Sequence, residues 1–450
     1  FYSSIFMLLA NSWLMYLPWL GYRKARNMVN DQKAILIFIS LWLSFEYLHL
    51  NWQISWPWFT LGNIFAKHNE VVQWYEITGT LGGSLWVLTT NVFFFLSIQK
   101  SNLKYGLRPI GLIIVPILLS IPFYLSNQSD YTTSKKSTHP ALIVQPNIDP
   151  YLKFDKEKEV INLVDMLKLV EPEINDSTDY VIFPETAIVE YVDENYSDRF
   201  ESIQLLKRFV KKHPQIHIIS GISTYKFFNK EEPLSQTARK TKNGDYYDSY
   251  NTAIEIDKHG NLDFYHKGKL VPGAEIMPYP KIFKFLDFLA VDLGGISGSL
   301  GSDKKPKVFD AGEKPNLAPL ICYESVFPGH VAEFCREGAE ILLVITNDGW
   351  WKDTDGYKQH MYYASLRAIE NRREVLRSAN TGISCRIDKL GKIHERSQWW
   401  REEIVPVMVN SFDNVTFYTK YGDYIGRLAS FIGSFFILGM IVKKKSKNVN

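Results

Sequence analysis

Apolar residues are concentrated at the two ends of this chain, and charged residues fill the segment between them. Four apolar runs with little or no charge occur before Asp130, at 1–22, 34–45, 77–99 and 109–129. Since a membrane-spanning helix needs about 20 mainly apolar residues, we expect about four spans within residues 1–129. A last run predicts a C-terminal span at 424–442, followed by the basic cytoplasmic tail 443–450.

The charged middle segment, 139–423, has the pattern of a water-exposed α/β domain. Short β-rich runs occur at 141–144, 180–183, 216–220, 252–256, 317–322, 341–346 and 382–387. Stretches of helical period lie between several of them, at 156–170, 200–212 and 359–377. This alternation predicts a substantially buried sheet. Gly260-Asn261 predicts a hairpin turn, so the sheet need not be purely parallel.

Basic residues cluster after alternate apolar runs, at 23–33, 100–108 and 443–447. Because Lys and Arg favour cytoplasmic loops, this arrangement predicts that the tail is inside and that 130–423 is outside. It also puts Phe1 outside, although the chain opens within an apolar run and has no charged signal-peptide start. We therefore expect that an odd number of further spans precedes Phe1.

The cysteine count and the net charge exclude several kinds of site and partner. The three cysteines, Cys322, Cys335 and Cys385, are odd in number and widely spaced, so neither a disulfide framework nor a zinc motif is indicated. A net charge of +3, concentrated in membrane-flanking loops, argues against nucleic acid as a partner. We expect no cofactor and no metal, and a monomer associated with a membrane.

Polar residues stand at the ends of three predicted strands. Glu185 and Asn347 follow apolar runs, and Cys322 closes one. Ligands of α/β sheets bind outside the carboxyl ends of strands, so these residues are predicted to meet at one rim. Lys267 lies in the string from Tyr265 to Glu275.

A glutamate, a lysine and a cysteine are the parts needed to activate a thiol for attack on an acyl carbon. Cys322 needs a base or a cationic neighbour because a thiol is mostly protonated at neutral pH. Glu185 is the candidate base. Lys267, with a backbone N–H near Tyr323, is the candidate oxyanion stabiliser. Taken singly, Cys322 could equally be a small buried apolar residue. Glu185 could be a carboxylate in a surface turn, and Lys267 a solvated lysine in a hairpin. Cys335 is interpreted as inert and the remaining cysteine as a core strand residue.

The glutamate, lysine and cysteine strings resemble the nitrilase superfamily, whose Glu-Lys-Cys triad occurs in this order. With membrane spans on both sides, the chain is similar to the apolipoprotein N-acyltransferase family of bacterial envelopes. The triad strings are 182–187, 265–275 and 320–324, and further similar strings are 142–148, 346–351, 366–372, 378–384 and 419–423. The resemblance extends from the second span to the tail.

This resemblance implies an α/β nitrilase-like αββα sandwich domain inserted between transmembrane α-helices. It implies that Glu185 is the general base, Lys267 the oxyanion stabiliser and Cys322 the nucleophile. Glu275 matches a second glutamate that positions or charge-balances the lysine. Tyr323 and Glu324 match residues beside the nucleophile that support activity.

Three positions depart from the family pattern. Lys269 stands where a histidine is usual, Gly273-Ala274 where Phe-Gly is common, and Phe154 where a tryptophan is typical. These departures do not affect the triad. They do mean that the family pattern does not predict the shape of the acyl pocket in this chain.

The implied reaction is ping-pong. Cys322 would take an acyl chain from a phospholipid as a thioester and pass it to the α-amino group of a diacylglyceryl-cysteine at the N-terminus of an apolipoprotein. The implied location is the bacterial inner membrane, with the catalytic domain on the outer face. Two alternatives are a membrane-tethered amidase that uses water and a non-catalytic envelope interaction module, whose signature would be loss of the triad.

Three further features bear on access to this site. Trp52, Trp56 and Trp58 are interpreted as interfacial anchors rather than as a lipid portal. Glu46, with His49 nearby, is expected to line a cavity because a membrane-embedded carboxyl is costly otherwise. The Gly- and Ser-rich loop 292–303 is interpreted as a flexible connection rather than a lid.

Overall fold

Helices form both ends of the chain, and two sheets form its middle. The computed structural model describes residues 2–100, 103–133, 138–151, 153–154, 159–229, 231–283 and 299–447, so most of the loop 292–303 lies outside the described residues. The helices are α1 Tyr2–Arg26, α2 Asp31–Asn51, α3 Tyr75–Lys100, α4 Leu103–Thr133, α5 Glu159–Val170, α6 Glu201–Lys212, α7 Pro280–Phe283, α8 Pro328–Arg336, α9 Gly356–Asn371, α10 Phe417–Tyr421 and α11 Tyr424–Lys447.

Thirteen strands are described. They are β1 Thr138–Gln145, β2 Tyr180–Ile182, β3 Ile188–Asp193, β4 His217–Phe227, β5 Arg239–Lys240, β6 Tyr246–Ile256, β7 Leu262–His266, β8 Leu317–Ile321, β9 Ile341–Thr346, β10 Glu374–Ala379, β11 Cys385–Ile387, β12 Ile393–His394 and β13 Glu403–Asn410. One sheet has the order β13-β1-β2-β4-β6-β5, with β3 on β4 and β7 on β6, and the other has the order β12-β11-β10-β9-β8.

Four of the described helices are long and apolar enough to cross a membrane. These segments are Asp31–Asn51, Tyr75–Gln99, Leu107–Ser129 and Tyr424–Val442. Helix α1 covers the first expected span but is not among the four. How many times the N-terminal part crosses a membrane therefore stays a prediction, as does the presence of spans before Phe1.

The two sheets face each other, and helices cover their outer faces. Period-two alternation in β1 sends Ala141 and Ile143 into the core between the sheets, whereas Leu142 and Val144 pack with residues of α5 and α6. Helices α8 and α9 contribute side chains such as Phe334 to the core of the second sheet. The order of layers is helix, sheet, sheet, helix, so the expected αββα sandwich is confirmed.

The sheets are mixed, as the predicted hairpin implied. Strands β6 and β7 pair antiparallel, with Ile256 opposite Leu262. Gly260 adopts φ +77° in the turn between them. Strands β8, β9 and β10 run parallel to one another, which brings the carboxyl ends of β8 and β9 to one edge.

The helix predicted over 359–377 ends early. It stops at Asn371, and Glu374–Arg377 belong to strand β10, so that part of the prediction is wrong. Arg372 adopts the left-handed conformation with φ +50°, and its guanidinium donates to Gln73 in the α2–α3 segment. This long-range contact ends the helix against local propensity. The strand expected from Gly382 begins only at Cys385.

Buried polar contacts join helix α3 to helix α9 of the sandwich. Glu370 accepts hydrogen bonds from the Thr80 backbone N–H at 2.9 Å and from the Thr80 hydroxyl at 2.6 Å. Arg372 forms an ion pair with Glu76 of α3. Gly79 adopts φ +62° within α3, and a Cβ there would meet the Tyr418 ring. The membrane-capable helices and the sandwich thus share a packed, hydrogen-bonded junction.

Candidate active site

Lys267 follows strand β7 and is buried between two carboxylates. Its Nζ donates to Glu185 Oε1 at 3.1 Å and to Glu275 Oε1 at 2.8 Å, and its side chain is 1% exposed. Burial opposes the charge, but the two carboxylates outweigh it and hold the pKa of Lys267 well above its usual value. Lys267 is therefore a fixed cation at this rim.

Glu185 is held by donors on both carboxylate oxygens. Asn251 Nδ2 donates to Oε1 at 2.8 Å, and the Asn347 backbone N–H donates to Oε2 at 3.1 Å. Burial acts to raise the pKa of Glu185, but the charge of Lys267 and the hydrogen bonds from Asn251 and Lys267 lower it below the usual value. The resting carboxyl is ionised and is able to accept a proton.

Cys322 lies at a sharp turn between strand β8 and a one-turn helix, Cys322–Val326. Its φ of +49° is unusual for a residue with a side chain. Its carbonyl oxygen accepts from Ser325 Oγ at 2.8 Å and from His360 Nε2 at 3.1 Å, which holds this backbone. A strained position that its surroundings hold in place is common where a reactive group must be presented.

The Cys322 thiol is protonated in the resting site. Burial and the nearby charge of Glu185 raise its pKa, while Lys267 acts in the opposite direction. Nucleophilic use of this thiol therefore requires transfer of its proton to a neighbouring base. Of the described carboxylates near the thiol, Glu185 acts on its pKa more strongly than Asp348, so Glu185 is the candidate base.

Glu324 links the cysteine turn to the lysine loop. Its Oε2 accepts from the backbone N–H of Ile321 at 2.8 Å. Its Oε1 accepts from the Gly268 N–H at 2.7 Å, from the His330 ring at 2.9 Å and from the Tyr265 hydroxyl. The side chain is fully buried. Glu324 thus fixes the spacing between Cys322 and Lys267 without contacting either side chain.

Comparison with known proteins supports an acyltransferase. Residues 141–413 match the carbon-nitrogen hydrolase family model, and residues 1–93 match the N-terminal domain model of apolipoprotein N-acyltransferase. The apolipoprotein N-acyltransferase of Rickettsia typhi is 31% identical over 81% of this chain and 68% of its own length. The chain belongs to the apolipoprotein N-acyltransferase family.

Other members of the family match over similar or greater lengths. The apolipoprotein N-acyltransferase of Chlorobaculum tepidum is 28% identical over 99% of this chain and 84% of its own length, and that of Thermotoga maritima is 27% identical over 86% and 67%. The solved structure of Saccharomyces cerevisiae Nit3, of the nitrilase superfamily, matches with 18% identity and a TM-score of 0.45 over 62% of this chain and 92% of that one. The assignment does not depend on it.

Every site residue predicted for this acyltransferase lies in one region. Glu185, Lys267 and Glu275 are in direct contact. Tyr323, next to Cys322, instead points its hydroxyl to the Ser55 carbonyl at 3.0 Å in the segment between α2 and α3. Cys335 and Cys385 are buried, and burial raises their pKa to about 11 and about 12.

Sequence reasoning missed three residues that contact this candidate site. Asn251 donates to both Glu185 and Glu275. Lys153 is buried and donates to the Glu185 carbonyl at 2.8 Å, and burial lowers its pKa to about 8 although Glu185 acts to raise it. His360 joins Asp348 to the Cys322 carbonyl. None of the three has a local sequence signal, because each acts through contacts with distant strands.

Two membrane-side expectations have different outcomes. Trp58 is half-buried and packs against Tyr323 at a ring separation of 6.1 Å and against Tyr363 at 5.7 Å, while an anchoring role for it, Trp52 and Trp56 stays a prediction. Glu46 and His49 do line a small cavity together, as expected.

Proposed function

We propose that this protein transfers an acyl chain from a phospholipid to the α-amino group of the diacylglyceryl-cysteine that begins an apolipoprotein. Family membership over nearly the whole chain supports the reaction. The observation that carries the assignment to residues is the buried lysine that joins two carboxylates beside a strained cysteine turn. In this proposal Glu185 is the general base, Lys267 stabilises the oxyanion, and Cys322 is the nucleophile.

In the first half-reaction the thiol proton moves to Glu185 as the sulfur attacks the ester carbonyl carbon. The tetrahedral oxyanion forms beside Lys267, whose charge is fixed by Glu185 and Glu275. Collapse breaks the ester C–O bond, and Glu185 returns the proton to the leaving glycerol oxygen. A lysophospholipid departs and a thioester remains on Cys322.

In the second half-reaction the acceptor amine attacks the thioester carbonyl carbon. Glu185 takes a proton from the nitrogen, the C–S bond breaks, and the thiolate recovers a proton from Glu185. The product is an amide. The same base serves both halves because the proton it gains in each attack is returned to each leaving group.

The proposed setting is the bacterial inner membrane, with 139–423 on the outer face and the tail 443–450 in the cytoplasm. Alternation of basic loops supports this orientation. Both substrates carry their reactive groups at headgroup level. Spans within 1–129 and at 424–442 would hold the catalytic domain there.

The test is transfer by purified full-length variants, with a phospholipid donor and a diacylglyceryl peptide acceptor. Cys322→Ala is expected to abolish amide formation while it leaves the unfolding temperature near that of the wild type. Cys335→Ala and Cys385→Ala serve as matched controls that keep activity. Transfer by Cys322→Ala would sink the mechanism, and release of free fatty acid without amide would favour a hydrolase.

A further inference from the structure

A second cavity lies where two membrane-capable helices meet the sandwich. It has a volume of about 290 Å³ and is lined by Tyr47 and Asn51 at the end of α2, by Asp423 and Arg427 at the start of α11, and by Lys269 of the lysine loop. Helices α2 and α11 pack against each other. Since these ends adjoin the sandwich, the cavity lies at the expected depth of lipid headgroups.

Positive charge dominates the lining. Lys269, Arg336, Lys420 and Arg427 contribute four cations, against the carboxylates of Glu333 and Asp423. Asp423 is buried and accepts from the Tyr418 hydroxyl at 2.6 Å, whereas the Glu333 side chain is 48% exposed. The cavity therefore has an excess of cations over carboxylates.

Three of these cations lack a close ion pair, although Asp423 lies near enough to act on the charges of Lys269 and Arg427. Within the part of the chain that the structure describes, Lys269, Lys420 and Arg427 form no ion pair within 4.0 Å. Lys269 lies over the Phe327 ring at 5.3 Å, and Lys420 over the Tyr421 ring at 5.3 Å. Arg336 donates to the Thr419 carbonyl at 2.6 Å. Arg336 also forms an ion pair with Glu333 at 3.7 Å, and Arg427 donates to the Tyr421 carbonyl. The lining still holds two more cations than carboxylates.

This cavity is separate from the proposed acyl centre. Glu185, Lys267 and Cys322 do not line it. The fully buried Glu324 lies between the two, because it binds His330 on the cavity side and the Ile321 N–H on the cysteine side. A ligand here would not contact the Cys322 thiol.

We propose that this cavity binds the phosphate of an anionic phospholipid headgroup at the junction of α2, α11 and the sandwich. Basic pockets beside membrane helices recognise lipid phosphates through such charges. The acyl chains of the lipid would lie along the apolar surface of α11, where Leu428 and Phe431 are exposed. Lys269, which replaces the usual histidine of the family string, supplies one of the cations.

The test is equilibrium binding to the full-length chain in neutral detergent, measured by native mass spectrometry in a Cys322→Ala background that prevents turnover. The probes are dioleoyl phosphatidylglycerol, dioleoylglycerol, which has the same chains and no phosphate, and inorganic phosphate. Lys420→Gln with Arg427→Gln should weaken binding of the phospholipid about 30-fold, as expected for two lost headgroup charges. The control pair Lys226→Gln with Lys258→Gln removes the same charge from the far surface and should change nothing.

Glu333→Gln removes the exposed carboxylate of the lining and should tighten phospholipid binding, a gain that misfolding cannot produce. Dioleoylglycerol should not bind this site. Equal phospholipid affinity in the Lys420, Arg427 double variant and its control would overturn the site. Inorganic phosphate that binds as tightly as the phospholipid, with the same sensitivity to the double variant, would overturn the lipid as occupant.

Discussion

The candidate site contains two kinds of residue. Some are positioned by the end of a strand, and others are positioned by the pairing of one strand with its neighbour. Glu185 and Cys322 were predictable because each follows an apolar run, and Lys267 because of its string. Asn251 was not, since it lies within the long strand β6. It reaches the site because β7 pairs antiparallel with β6, which puts the Lys267 N–H 2.9 Å from the Asn251 carbonyl. Such register is a tertiary property that local periodicity does not record.

Asn251→Ala should slow transfer and move its pH dependence. Its amide donates to the charged form of Glu185, so its loss raises the pKa of that carboxyl. The acid limb of kcat/KM, which follows ionisation of Glu185, should then move to higher pH. A lost hydrogen bond to a charged group corresponds to a decrease of about 10- to 100-fold. The exposed Asn229→Ala is the control, and an unmoved acid limb in Asn251→Ala would contradict the role given to this amide.

At the scale of elements, most of the alternation of strands and helices was predictable, because the apolar periodicity of β1, β2, α5 and α6 matches what each buries. The range predicted for helix α9 was too long because the end of this helix depends on contacts with Gln73 and Glu76, which lie far away in sequence. The spacing between the β8 and β7 loops likewise depends on one side chain, Glu324, whose acceptor role no pattern reveals.

Glu324→Gln should damage both stability and transfer. All of its partners are N–H or O–H donors, so an amide NH₂ would face a donor and leave it unpaired. We expect the free energy of unfolding to fall by about 1–3 kcal/mol, measured by thermal or chemical denaturation, together with slower transfer because the lysine loop loses its anchor. Glu337→Gln, on the surface after α8, should do neither. Full stability and activity in Glu324→Gln would show that the link is dispensable.

At the scale of the whole molecule, the separation of apolar ends from a charged middle segment predicted membrane helices around an α/β domain. It did not predict how closely the two would be joined. Tyr363, Leu366 and Ile369 of α9 form one buried cluster with Tyr75, the first residue of α3, and with Val72 just before it. Each of these residues fits the apolar pattern of its own segment. Nothing in the sequence therefore marks it as a contact between the two parts, and only the tertiary structure reveals the junction.

The excised segment 139–423 should therefore not fold as a stable monomer. Removal of the segment before 139 would expose the α9 cluster to water, and Glu370 would lose Thr80 and Arg372 would lose Glu76 as buried partners. Size-exclusion chromatography and thermal unfolding followed by circular dichroism would test this, with the full-length chain in detergent as the reference. A monomeric fragment with a cooperative transition would contradict the prediction.

The central claim is that Cys322 carries the acyl chain between donor and acceptor. The direct measurement is mass spectrometry of the full-length enzyme after incubation with a phospholipid of defined acyl chains and no acceptor. We predict one acyl group on the peptide that contains Cys322, labile to hydroxylamine and discharged when a diacylglyceryl peptide is added. An acyl group on another residue, or amide formation with Cys322 never acylated, would contradict the account.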